Sequence, residues 1–157
     1  MSLVTASTQI AAAPEDVWET VMDPARLKEW VTIHRRLVHA DEGPPRVGYT
    51  MDQQIHLRGV SIQVHWTLID CRRGERAVWE GRGPARGHAR TEYILSAEGG
   101  GTRFDYRNEF RPPLGPLGAF VGRALVGGMP EREATRTLER LRAYLERGSP
   151  QGTSVRL

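Results

Sequence analysis

The sequence predicts an α+β fold in which a curved antiparallel sheet of six or seven strands wraps one long C-terminal helix, with two short helices after the first strand. Three observations point to it. The chain opens on a strand-like run, Leu3 to Ile10, which meets Ala13-Pro14 and two short apolar-faced helices ending at Trp30. From about Leu37 to Pro112-Pro113 the apolar residues recur every second position. The last long segment then changes to a helical period.

Each element has its own signature. Val4, Ala6, Thr8 and Ile10 alternate with Thr5, Ser7 and Gln9, the pattern of a half-buried strand. Pro14 suits the first position of a helix, whose apolar face is Val17, Trp18 and Val21. Asp23-Pro24 restarts the chain, and Leu27 and Trp30 give the next helix its buried side. Val47, Tyr49, Met51, Gln53, Ile55 and Leu57 share one strand face, and Arg58-Gly59 is a turn. Val60, Ile62, Val64, Trp66 and Leu68 then alternate cleanly with Ser61, Gln63, His65 and Thr67. Arg73-Gly74 turns into a short strand, Ala77 to Gly81, with Trp79 inward, and Gly83-Pro84 is a loop. Ala89, Thr91, Tyr93 and Leu95 face inward on the next strand. Gly99-Gly100-Gly101 marks a hairpin, and Thr102, Phe104, Tyr106, Asn108 and Phe110 follow on the inner face.

In the final segment Leu117, Val121, Leu125, Ala134, Leu138, Leu141 and Leu145 form one stripe. Gly127, Gly128 and Pro130 interrupt it and predict a break, since proline removes a backbone donor and glycine weakens a helix. Residues 1–147 read as one domain and 148–157 as a flexible polar tail.

Composition narrows the function. A chain of 157 residues with 39% hydrophobic and 26% charged residues is an ordinary soluble domain. No apolar run approaches the roughly 18 residues of a membrane span, so no stable membrane insertion is expected. No secretory signal is visible, and a single cysteine, Cys71, excludes an internal disulfide; the cytoplasm is the expected location. The net charge is +3, yet Lys28 is the only lysine, and arginines mix with acids, as around Glu131 to Arg136. A nucleic-acid surface would cluster its basic residues, so no nucleic-acid partner is expected.

Every strand is apolar on one face and polar on the other, as in an antiparallel sheet with one solvated side. The concave side needs a cover, and the C-terminal helix is the element large enough, which makes a helix-grip. On the residues AAPEDVWETVMDPARLKEW, Trp79-Glu80-Gly81, the GGGTRF hairpin of Gly99 to Phe104, Leu117 to Phe120 and the LERLRAYLE ending, the chain resembles the START-like, or SRPBCC, domains, in particular the polyketide cyclase/dehydrase-like group. The likeness covers about residues 3 to 147 and is specific for fold rather than for chemistry. It implies an elongated apolar cavity between sheet and helix. It also implies a hydrophobic small-molecule ligand, either transformed by cofactor-free aldol or dehydration chemistry or carried unchanged, as a lipid or quinone is. No cofactor is expected, and a homodimer is left open.

Candidate site residues follow from the alternation. Met51, Gln53, Trp66, Trp79, Thr91, Tyr106, Val121 and Leu125 are expected to line the cavity. Tyr49, Tyr93, Asn108 and His34 are the acid/base or polarising candidates. A polar group facing a closed core is costly, whereas in a cavity it orients a ligand. The competing reading makes the tyrosines core residues and leaves Gln53 and Asn108 near strand ends in water. Trp18 and Trp30 read as structural anchors, while Trp66 and Trp79 fit either a pocket or the core. His56, His65 and His88 fall on the polar faces and are expected in solvent; His34 stands where the short helices meet the sheet, near a cavity mouth or in a surface loop. No zinc spacing, nucleophile elbow or phosphate loop is present, and no metal is expected.

Overall fold

The computed structural model describes residues 2–57, 59–112, 114–116, 118 and 129–147. Seven strands, β1 (Ser2–Ile10), β2 (His34–Ala40), β3 (Thr50–Leu57), β4 (Val60–Arg72), β5 (Arg76–Arg82), β6 (His88–Glu98) and β7 (Gly101–Arg111), form one antiparallel sheet. Its order is β1-β7-β6-β5-β4-β3-β2. Strands β2 to β7 follow one another as neighbours, and β1 closes beside β7, pairing from Ser2↔Phe110 to Ile10↔Thr102. The β6–β7 hairpin turns through Gly99 and Gly100, at φ +57° and +82°. Positive φ at both central residues is what a two-residue hairpin turn needs, and glycine supplies it without a steric penalty.

The crossover from β1 to β2 carries α1 (Pro14–Val21) and α2 (Leu27–Trp30). Pro14 opens α1, with Glu15 and Asp16 in the positive first turn. Asp23 accepts the Ala25 amide at 3.0 Å and starts the tight turn that leads into α2. Trp30, fully buried, meets the rings of Tyr93, Phe104 and Tyr106 edge-on at 5.8, 6.2 and 6.2 Å. Such ring pairs add about 0.5–1.5 kcal/mol each beyond the burial itself.

Helix α3 (Met129–Arg147) buries Ala134, Leu138, Leu141 and Leu145. It packs on β1 and α2. Polar pins fix it at both ends. The Thr32 amide donates to Thr137 Oγ1 at 3.1 Å and the Thr32 hydroxyl donates to Glu133 at 2.6 Å. The Ala11 amide donates to Glu146 at 3.0 Å, which holds the Glu146 carboxyl below its ordinary range.

Two sequence expectations change. Strand β2 begins at His34, not near Leu37, because register shifts between His34 and Arg36 and between Leu37 and His39 break its alternation. Val47 is 62% exposed rather than on the inner face of β3. Gly48, at φ +94°, turns the chain before that strand begins. Leu117, Val121, Leu125, Gly127, Gly128 and the tail 148–157 lie outside the described residues, and so does the expected helix break; Pro130 belongs to α3.

Candidate functional site

The inner face of the sheet bounds a cavity of about 130 Å3. An apolar cavity of roughly 150 Å3 takes in a molecule the size of benzene. Met51, Gln53 and Ile55 from β3 and Ile62, Val64 and Trp66 from β4 make one wall. Trp79 from β5, Ala89, Thr91 and Tyr93 from β6, and Tyr106, Asn108 and Phe110 from β7 make the other. Leu27, Val31 and Ile33 contribute from α2 and the segment after it, and Gly83, Pro84, Gly87, His88, Arg111 and Pro112 also line it.

The period-two pattern places the walls, and three local features shape them. Trp66 stands opposite Gly81 across β4 and β5. A Cβ on Gly81 would lie 2.8 Å from both the Trp66 ring and a Val64 methyl, so only glycine lets the indole lie there. Trp66 Nε1 then donates to Gln53 Oε1 at 2.9 Å. An indole nitrogen only donates, which fixes the sense of the Gln53 amide and turns its NH2 toward His34 Nδ1 at 2.8 Å. That ring nitrogen must accept, so His34 is neutral with its proton on Nε2. Burial lowers the His34 pKa in the same direction.

On the opposite wall the Thr91 hydroxyl donates to Asn108 Oδ1 at 2.6 Å. Tyr93 and Tyr106 stack at 5.9 Å, and burial raises both phenol pKa values, so both stay protonated. The third feature is the loop between β5 and β6. Ala85 and Arg86 take φ +52° and +63°, and Gly83 and Gly87 close the loop with a 2.8 Å bond from the Gly83 amide to the Gly87 carbonyl. Left-handed backbone at non-glycine residues costs about 1–3 kcal/mol each.

Of the expected lining residues, Met51, Gln53, Trp66, Trp79, Thr91 and Tyr106 border this cavity, together with Tyr93 and Asn108. Gln53 and Asn108 are 5% and 8% exposed, not at wet strand ends. Val121 and Leu125 lie outside the described residues. Tyr49 is buried but does not border the cavity: its ring packs edge-on against Trp79 at 6.1 Å. His34 is the first residue of β2 and reaches the cavity wall only through Gln53. His88, expected in solvent, lines the cavity and sits 3.7 Å from Glu80. Sequence reading missed Leu27, Val31 and Ile33. It also missed the 83–87 loop as a lining segment, whose left-handed residues are Ala85 and Arg86 rather than its glycines. Among the described residues no group of three His, Cys, Asp or Glu side chains could hold a metal ion, and no helix is long and apolar enough to cross a membrane.

A seven-stranded antiparallel sheet with short helices after β1 and a C-terminal helix is the helix-grip architecture, here with an apolar cavity on the inner face of its sheet that no described residue of α3 lines. The chain belongs to the family of polyketide cyclases/dehydrases and lipid transport proteins, whose model matches residues 1–146, and is an SRPBCC-type, START-like protein. Toxin Rv0910 of Mycobacterium tuberculosis is 25% identical over 131 residues, 80% of this chain and 88% of that protein. The crystal structure of TTHA0849 from Thermus thermophilus superposes with a TM-score of 0.75 at 20% identity, over 94% of this chain and 99% of that one. DynU16, a protein of the dynemicin biosynthetic locus, does so at 0.63 and 18% identity, over 96% of this chain and 49% of that one. At these identities the solved structures speak for the fold alone.

Proposed function

We propose that the chain binds a hydrophobic small molecule in this cavity and carries or shelters it without transforming it. One observation carries this reading: the walls are mainly apolar, and the polar side chains Gln53, Trp66, Thr91 and Asn108 on them are bonded in pairs. Gln53 is engaged at both ends of its amide, and the Thr91 proton is committed to Asn108. His34 meets the cavity only through Gln53, and the tyrosines are held protonated, so neither is poised as a base on the wall; His88, the described lining residue able to act as one, stands beside Glu80. The second reading, a cofactor-free cyclase or dehydratase, draws on the family and on Tyr93, Tyr106 and Asn108 as groups able to polarise a ligand carbonyl. The lone free Cys71 fits a reducing, cytoplasmic setting.

Native mass spectrometry of the purified chain tests for a copurified ligand. Titration with the fluorescent probe 1-anilinonaphthalene-8-sulfonate tests the cavity itself. Ala89→Phe, at a lining position only 9% exposed, fills part of the cavity and is expected to weaken probe binding at least about tenfold. Equal binding by this variant would move the ligand elsewhere.

A further inference from the structure

Trp79 on β5 stands opposite Thr91 on β6, and Thr91 opposite Asn108 on β7, so the three form one row across adjacent strands. All line the cavity, and they are 3%, 7% and 8% exposed. The hydrogen bond from Thr91 to Asn108 has one sense, because a carboxamide oxygen only accepts. It occupies the oxygen end of the amide and turns Nδ2, with its two N–H groups, away from Thr91. The Trp79 indole N–H is buried and has no acceptor among the described residues. A buried donor without a partner is costly. The Trp79 indole and the Asn108 amide nitrogen are thus both donors in this row.

We propose that the ligand of this cavity carries a hydrogen-bond acceptor, a carbonyl or comparable oxygen, which the Asn108 amide N–H receives, and that Thr91 sets this preference by holding the amide in one orientation. The proposal rests on the binding reading above and names the ligand class for the same cavity. Asn108 is the contact residue and Thr91 the positioning residue. Without the Thr91 hydroxyl, the amide is free to turn by half a rotation and offer its oxygen instead. The site then accepts a donor as readily as an acceptor.

Three bicyclic probes of similar size separate these roles: 1-indanone carries an acceptor, indole a donor, and indane neither. Affinities of the three are measured by titration calorimetry on the intact chain, wild type, Asn108→Leu and Thr91→Val. Ratios between probes within one protein cancel the differences in cavity shape. Asn108→Leu is expected to weaken 1-indanone about tenfold relative to indane. Thr91→Val, nearly isosteric, is expected to raise indole relative to 1-indanone about tenfold and to leave indane unchanged. Indane affinity also reports whether each variant keeps its fold, and if Asn108→Leu does not, the Thr91→Val ratio decides. An indole to 1-indanone ratio unchanged by Thr91→Val, or a 1-indanone to indane ratio unchanged by Asn108→Leu, overturns the proposal. If wild type binds indane but shows no preference that these variants alter, the cavity reading stands and the acceptor preference falls. If wild type binds none of the three, both fall.

Discussion

His34 is held neutral by geometry as well as by burial. Its Nδ1 accepts from Gln53, whose orientation is set in turn by the donor-only indole of Trp66. A proton on Nδ1 would face the Gln53 NH2 and break the chain of bonds. The folded-state pKa is thus below the ordinary value of 6.5. The sign follows: as pH falls through 6.5 the unfolded chain takes up a proton that the folded chain does not, so stability is lost, and above 6.5 it is flat. The melting temperature of wild type should therefore fall further between neutral pH and about pH 5 than that of His34→Gln, which keeps an acceptor and cannot titrate. The other histidines are common to both proteins and cancel in the difference, so parallel curves would remove His34 from the network. At this scale the sequence was readable for position and silent on partners. Parity put Gln53, Thr91 and Asn108 on the inner face, as the structure has them. Which amide end meets which neighbour depends on residues distant in the chain, such as Trp66 for Gln53, and no period encodes that. Tyr49 shows the limit of parity: it is buried as the alternation requires, yet stands behind Trp79 rather than at the cavity.

Between elements, the contact of β4 with β5 shapes the cavity most sharply. Gly81 yields its side-chain space to Trp66 and Val64. Trp66 has little room to retreat, because its indole N–H is tied to Gln53. Gly81→Ala should cost about 1–3 kcal/mol through overpacking. It should also move the Trp66 indole off its bond with Gln53. Urea unfolding checks the first effect, and tryptophan emission, read against a Trp66→Phe control, checks the second. A variant with wild-type stability and unchanged emission would show that the strands shift apart cheaply. Most element boundaries were legible where the local rule was strong. Pro14 opened α1, and the glycine run turned β6 into β7. Strand β2 was harder, since its two register shifts spoil the alternation on which its detection depends. The expected cover of the cavity by Val121 and Leu125 falls outside the described residues, and the described length of α3 packs instead on β1 and α2.

Across the whole molecule, alternation told which face of each strand is buried but not which strand lies beside which. The pairing of β1 with β7 joins opposite ends of the sheet-forming sequence and left no local mark. Contacts of such long range are slow to form, because loop closure must be met before pairing rewards it. Ile10, fully buried in β1, samples that late contact. Ile10→Ala should cost about 2–5 kcal/mol. If β1 docks after the β2–β7 hairpins, most of that loss should show as faster unfolding with nearly unchanged refolding. Stopped-flow folding in urea gives both rates, and a slowed refolding limb would place β1 in the nucleus instead.

The register shifts of β2 have a consequence beyond their effect on detection. A sheet that does not close leaves its last strand with a row of unmet backbone groups, an open template on which another polypeptide could build. On β2 that row is interrupted by two irregularities and flanked by the exposed side chains of Arg35, Arg36 and His39. An incoming strand would find no straight ladder to extend, and a second copy of this chain would bring the charges of Arg35 and Arg36 against their own kind. The irregular edge thus guards the chain against runaway cross-strand polymerisation.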